Sequence, residues 1–130
     1  MGIHEAIFTR LQAVSGVTDL VSTRVYRDRA PEPPTAPFIV FEIDDDEENA
    51  HAMGVDASVR RAYARFYCLA TTGDAASALA VALIAALRRY SGTSSSVVVD
   101  DCYLRGDRQA DEEDVKLRGR LVEFELCYQA

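Results

Sequence analysis

The stretch from Asp74 to Tyr90, DAASALAVALIAALRRY, predicts a helix with almost no polar face. At about 100° per residue, its large apolar side chains form an ordinary core stripe. This stripe comprises Leu79, Leu83, Ile84, Leu87 and Tyr90. The opposite side is also apolar and consists of Ala75, Ala78, Val81, Ala82, Ala85 and Ala86. A helix that is apolar nearly all round needs cover on both sides. We therefore expect a second subunit against Ala75, Ala78, Val81, Ala82 and Ala85.

Length and composition are those of an ordinary globular protein with a single domain, residues 1–130. Hydrophobic residues make up 48% of the chain and charged residues 27%, which are typical values. No apolar run reaches the roughly 18 residues that span a bilayer, and no secretory signal is recognisable at the N-terminus. The three cysteines, Cys68, Cys102 and Cys127, fit neither a metal knuckle nor a disulfide framework. We expect reduced thiols, synthesis in a cytoplasm and no membrane partner.

The formal net charge of −7 disfavours nonspecific binding to nucleic-acid phosphates. The acidity is concentrated in two clusters, 44–48 and 111–114. The first cluster opens a predicted loop from Asp44 to Ala57, which is longer than the roughly two to five residues of a usual hairpin turn. Long loops of this kind are often functional. The loop, with Asp44, Asp45, Asp46, Glu47 and Glu48, is therefore a candidate interaction segment.

Periodicity predicts an α+β domain. Two helices are expected, over residues 2–15 and 74–90, and the strands are expected over residues 24–26, 38–43, 58–70, 97–104 and 115–128. Asp100 and Asp101 are a candidate bulge within the fourth strand. The proline-rich segment 30–37 is typical of an extended connector. The order α-β-β-β-α-β-β predicts one mostly antiparallel sheet with two helices packed on one face.

Residues suited to catalysis are scarce, and we predict no enzyme, no catalytic residues and no cofactor. The sequence contains no GxSxG, HExxH or glycine-rich phosphate loop. His4 is expected to pack at a helix edge. A cation could be held by Asp44, Asp46, Glu48 and His51, but this segment lacks the glycine turn and terminal glutamate of a calcium loop. A solvated or partner-docking loop is favoured, and no metal is predicted.

Arginines on the predicted strands point to ion pairs across the sheet rather than to nucleic-acid binding. Glutamates on neighbouring strands are suitable partners, and opposite charges facing each other across strands stabilise a sheet. The arginines are Arg60, Arg61, Arg65, Arg118 and Arg120, and the glutamates are Glu42, Glu123 and Glu125.

Several phrases along nearly the whole chain resemble one known family. They are IFTRLQAVSGVTDLV, TRVYRDRAPEPPTAPFIVFEI, ARFYCLATTGDAASALAVALIAAL and LRGRLVEFELCYQ. The most telling feature is Arg24-Val25-Tyr26. It is followed by an Ala-Pro and then by a strand that begins Pro-aromatic-aliphatic. The chain resembles the tail-terminator, or tail-completion, proteins of long-tailed bacteriophages and gene transfer agents.

The resemblance implies a homo-oligomer, a ring of six subunits in the virion neck, made in the cytoplasm of a bacterial host. Its partners would be the major tail-tube protein and the head connector or stopper, with DNA passing through the ring without specific binding. Asp44 to Glu48 would line the bore or dock a partner. Two alternatives stay open: another neck protein, such as a head-side stopper, or a small oligomeric α+β domain that binds a metabolite or metal outside any virus.

Overall fold

The computed structural model describes residues 2–32, 34–46, 59–94, 97–111 and 116–129. The chain opens with two helices, α1 (Ile3–Ala13) and α2 (Ser15–Val21). The sequence predicts one helix over residues 2–15. Instead, the chain breaks at Val14, whose backbone is extended (φ −103°, ψ 114°), and Gly16 lies within α2. The apolar periodicity continues across this break, which explains why it is not visible in the sequence.

The remaining elements are six strands and a third helix. They are β1 (Val25–Arg27), β2 (Phe38–Asp46), β3 (Val59–Ala70), α3 (Gly73–Leu87), β4 (Gly92–Ser94), β5 (Val97–Gln109) and β6 (Arg118–Gln129). The predicted segments for β1, β2, β3, α3, β5 and β6 are all present. The three-residue strand β4 lies in a stretch whose composition predicts a small polar linker. It forms because Gly92, Thr93 and Ser94 pair with Val99, Val98 and Val97.

The α+β class is confirmed, but the details of the predicted architecture were wrong. The described residues form three helices rather than two, and the sheet is curled and mixed. Its strand order is β1-β2-β3-β6-β5-β4. The parallel pair is β1 with β2, where Val25 lies opposite Ile39. A parallel partner needs a long connection, which the proline-rich segment between Arg27 and Phe38 provides.

The core lies between the helices and one face of the sheet, which we call the inner face. Alternate residues of β3 and β6 are buried there. They are Ala62, Ala64, Phe66, Cys68 and Ala70 on β3, and Val122, Phe124, Leu126 and Tyr128 on β6. The ring of Phe66 lies at the centre, 5.8 Å from that of Phe41 and 6.0 Å from that of Phe124. The opposite face of the sheet is called the outer face.

The predicted bulge near Asp100 is confirmed by a register shift between Val99 and Asp101 on β5. A second shift lies between Leu104 and Gly106. A bulge bends its strand and increases the local twist, so these two irregularities are consistent with the curl of the sheet. None of the described helices has the length and apolar character that a bilayer crossing requires.

Candidate functional site

Helix α3 presents an apolar surface to solvent, in the position that its sequence predicts. The Thr72 side chain caps the helix by accepting a hydrogen bond from the Ala75 N–H at 3.1 Å. Leu79, Leu83 and Leu87 are buried against the core. Val81, on the other side, is 67% exposed, an unusual position for a valine.

The exposed part of the apolar surface on α3 contains fewer alanines than the sequence predicts. Ala75, Ala78 and Ala85 are exposed, whereas Ala82 is half-buried and packs against the core. The prediction that Ala86 lies on the outward side of the helix was wrong, because Ala86 is buried, at 1% exposure. At about 100° per residue it lies roughly 20° from Leu79, beside the core stripe. We call the set Ala75, Ala78, Val81 and Ala85 the helix patch.

The acidic segment begins as strand rather than as loop. The prediction of a loop starting at Asp44 was wrong, because β2 continues through Asp46 and pairs with β3, placing Asp44 opposite Tyr63 and Asp46 opposite Arg61. Asp44 itself is exposed and lies 3.2 Å from the guanidinium of Arg65. Glu47, Glu48 and the rest of the predicted loop lie outside the described residues.

The outer face carries the predicted cross-strand ion pairs. Arg65 Nη2 lies 2.9 Å from Glu42 Oε2, and Arg61 Nε lies 3.3 Å from Glu125 Oε2. Arg118 and Arg120 lie opposite the inner-face residues Ala70 and Cys68 and pair with residues that were not predicted as partners. Arg120 pairs with Asp107 at 2.8 Å and Arg118 with Asp111 at 3.1 Å. Glu123 pairs with Arg108, at 2.8 Å.

One glutamate of the outer face is buried beneath arginines. Glu125 is 5% exposed because Arg105 of β5 and Arg61 of β3 both pair with its carboxylate. Hydrogen bonding to that carboxylate raises the pKa of the Arg105 guanidinium. A carboxylate held by two guanidiniums satisfies the rule that buried charges are paired.

Arg88 and Arg89, which follow α3, lie near Glu125 and its two arginine partners. The Arg89 N–H donates to the Cys102 carbonyl at 2.9 Å, so the chain leaving α3 lies along the edge of β5. The Arg89 guanidinium lies 3.1 Å from Asp101 Oδ2 and 5.1 Å from the centre of the Tyr103 ring. Arg88 and Arg89, together with Arg61 and Arg105, line a depression of about 550 Å³. We call it the arginine pocket, formed by Arg61, Arg88, Arg89 and Arg105.

The arginine pocket is not predictable from the sequence. Arg88 and Arg89 stand out there only as interruptions at the end of an apolar helix, and Arg105 does not stand out at all. The available signal is Glu125, one of two glutamates that alternate with apolar residues in the last strand. A glutamate in such a strand needs cationic partners from other segments, but nothing in the sequence says which segments supply them.

The cysteines and histidines do not converge on a catalytic or metal arrangement in the described part of the chain. Burial raises the pKa of the Cys68 and Cys102 thiols to about 12, so their reactive thiolate forms are suppressed. His4 packs at the end of α1, with its ring 6.4 Å from that of Phe41. Across the described ranges, no three histidine, cysteine or acidic side chains are grouped to hold a metal ion. The candidate cation set lies only partly within these ranges, since Glu48 and His51 fall outside them.

A profile of the family described as tail completion protein gp17 matches residues 5–129. No curated protein sequence matches the chain. Among solved structures, the fold is similar to that of a chain in the virion of a native gene transfer agent particle. The TM-score is 0.73 at 18% sequence identity, and the match covers 98% of this chain and 95% of that one.

The family match extends over nearly the whole chain, and the structural match independently supports the fold. A tail completion protein is a structural component of the virion, located in its tail. The chain therefore belongs to the bacteriophage tail completion protein gp17 family.

Proposed function

We propose that this protein forms a ring of six copies that ends the tail tube and joins it to the head connector. The observation that carries the ring is the helix patch, because a valine that is 67% exposed among exposed alanines is expected to be covered in the working assembly. Its partners would be further copies of itself, the major tail-tube protein and a head connector or stopper. Its task is binding, and we propose no catalysis.

Supporting arguments come from the family and from the charge of the chain. Tail completion requires contacts between proteins. In a ring, one surface of each copy contacts a different surface of the next copy. A chain with net charge −7 does not attract DNA phosphates overall. DNA could therefore pass through such a ring without adhering to it.

The ring is tested by measuring mass in solution at several protein concentrations, together with electron microscopy of assembled tails. We expect six copies at the head-proximal end of each tail, and a mass that rises with concentration if the ring also forms in solution. Copy number on the tail decides the matter, because a ring that forms only on the tail would leave free protein monomeric. A single copy per tail would overturn the proposal.

The acidic segment is proposed to face either the bore of the ring or a docking partner. Replacing Asp44, Asp45 and Asp46 by Asn and Glu47 and Glu48 by Gln removes five negative charges per copy. We expect the variant to fold, since Asp44 is an exposed strand residue, but to join heads less efficiently or to slow DNA passage. Infectivity and DNA ejection measure these effects. Normal assembly and ejection would show that the charges serve neither purpose.

A further inference from the structure

An apolar groove lies on the outer face of the sheet, beside the proline-rich segment. It has a volume of about 470 Å³ and is lined by residues of β2, of β3 and of the segment between β1 and β2. Val40 and Tyr67 lie opposite each other in register and are half-buried, so they keep apolar surface open to solvent. We call it the proline groove. Its apolar lining includes Pro31, Pro34, Val40, Tyr67, Leu69 and Leu117.

The proline groove and the helix patch lie on opposite sides of the sheet. Helix α3 packs on the inner face through Leu83, and Val81, two residues earlier, lies about 160° away around the helix axis. The helix patch therefore faces away from the sheet on one side, and the groove opens on the other. In a ring, one surface of each copy meets a different surface of the next, whereas a patch that meets its own copy closes at two subunits. Two apolar surfaces on opposite sides of one copy suit the ring.

Charged residues beside the two surfaces are complementary. Asp74 comes seven residues before Val81, so it lies within about 20° of Val81 on the same face of α3. Arg29 and Glu32 line the proline groove. The side chains of Asp74, Arg29 and Glu32 are exposed, and none of them forms an ion pair or hydrogen bond with a described residue. Arg29 attracts Asp74 whereas Glu32 repels it, so these charges favour one direction of the helix on the groove.

We propose that the helix patch of one copy packs in the proline groove of the next copy in the ring, with Asp74 beside Arg29. This inference rests on the ring proposed above and names the surface that covers the helix patch. The alanines of the patch are small enough for the helix backbone to approach the groove closely, and Val81 is the side chain that enters it. Proline fixes the backbone φ angle, so a groove lined by Pro31 and Pro34 loses little conformational freedom on binding.

A segment of the tail-tube protein is the competing occupant of the proline groove. Such a segment would fill the groove but would leave the helix patch and Asp74 without a partner. A second copy of this chain supplies both halves of the contact. Repeated around the ring, the contact covers every helix patch and every groove.

Cysteine cross-linking between copies tests the contact directly. One preparation carries Val81→Cys and another carries Val40→Cys, and tails are assembled from a mixture of the two. After treatment with a short bismaleimide, we expect a peptide that joins position 81 of one copy to position 40 of another. The wild-type chain measures any background from Cys127, which is partly exposed, whereas Cys68 and Cys102 are buried.

The matched control replaces Val40→Cys by Val98→Cys. Val98 is an exposed valine on β5, but it lies opposite Gln129, at the other end of β6 from the groove residue Leu117. It should form no cross-link to position 81.

Charge reversal supplies an independent measurement. Asp74→Arg, and equally Arg29→Asp, should weaken the association of copies by about tenfold or more, because each places like charges together. Combining the two in one chain should recover most of the loss. Asp100→Arg makes the same change of charge as Asp74→Arg at an exposed position on β5 outside both surfaces, and should leave association unchanged. Association is followed by occupancy of the tail end over a range of protein concentrations, and circular dichroism verifies that each variant is folded.

The outcomes separate this inference from the proposed ring. Six copies per tail, with the cross-link between positions 81 and 40 and with recovery in the double variant, support both. The groove contact would be overturned, and the ring left standing, by six copies without that cross-link or without the recovery. The same holds if position 81 links only to position 81 of another copy, or position 40 only to the tail-tube protein. A single copy per tail would overturn both.

Discussion

Val81→Glu is expected to abolish the proposed ring while leaving the protein folded. The side chain is 67% exposed in the single chain, so a glutamate there costs little stability. In a ring that covers the helix patch, the same carboxylate would be buried without a partner, at a cost of about 3–5 kcal/mol per contact. The variant should therefore be present as folded protein but absent from tail ends, as measured by circular dichroism and by copy number on tails.

The control for this variant is Val98→Glu, the same chemical change at an exposed valine on β5. Val98 is 37% exposed and lies outside the helix patch. We expect it to assemble like the wild type. Rings that form normally with Val81→Glu would contradict the assignment of the helix patch to an interface. Ala82 is a poorer test position, because it packs partly against the core and a charge there would affect folding as well.

Phe66→Ala should cause a severe loss of stability. Phe66 is fully buried between Phe41 and Phe124 on the central strands of the sheet. Removing its ring deletes buried apolar surface and leaves a cavity, so the free energy of unfolding should fall by about 3–5 kcal/mol. Urea denaturation followed by circular dichroism measures this change.

The matched control is Tyr63→Ala on the same strand. Tyr63 points to the outer face and is 41% exposed, so its truncation should cost about 1 kcal/mol or less. Equal losses for the two variants would contradict the assignment of the core to the inner face. This comparison depends only on the fold and does not involve the proposed ring.

Predictions from the sequence succeeded where a pattern was long and local. The alternation in β3 and β6 separated the two faces of each strand, because a strand's side chains alternate whether or not its partners are known. The apolar character of α3 likewise placed its leucines in the core. The error at Ala86 was one of placement on the helix, since seven steps of about 100° bring this residue back to within about 20° of Leu79.

Short elements and strand boundaries were less predictable. Strand β4 has only three residues, one of them a glycine, which disfavours strands. It owes its existence to pairing with Val97–Val99. The extension of β2 through Asp46 is similar, since three aspartates disfavour a strand in isolation. Pairing with β3 along its full length overrides that preference. Both cases are decided by a partner that is distant in sequence.

The sequence by itself determined the α+β class, the two faces of the long strands, the two-sided helix and the resemblance to tail completion proteins. Each is encoded in local periodicity or in contiguous phrases. Only the tertiary structure decided the parallel pairing of β1, the break at Val14 and the arginine pocket around Glu125. That pocket draws residues from separate segments of the chain. Charges far apart in sequence form one site only when strand register and the path of the chain after α3 bring them together. No local sequence pattern shows which charges will meet.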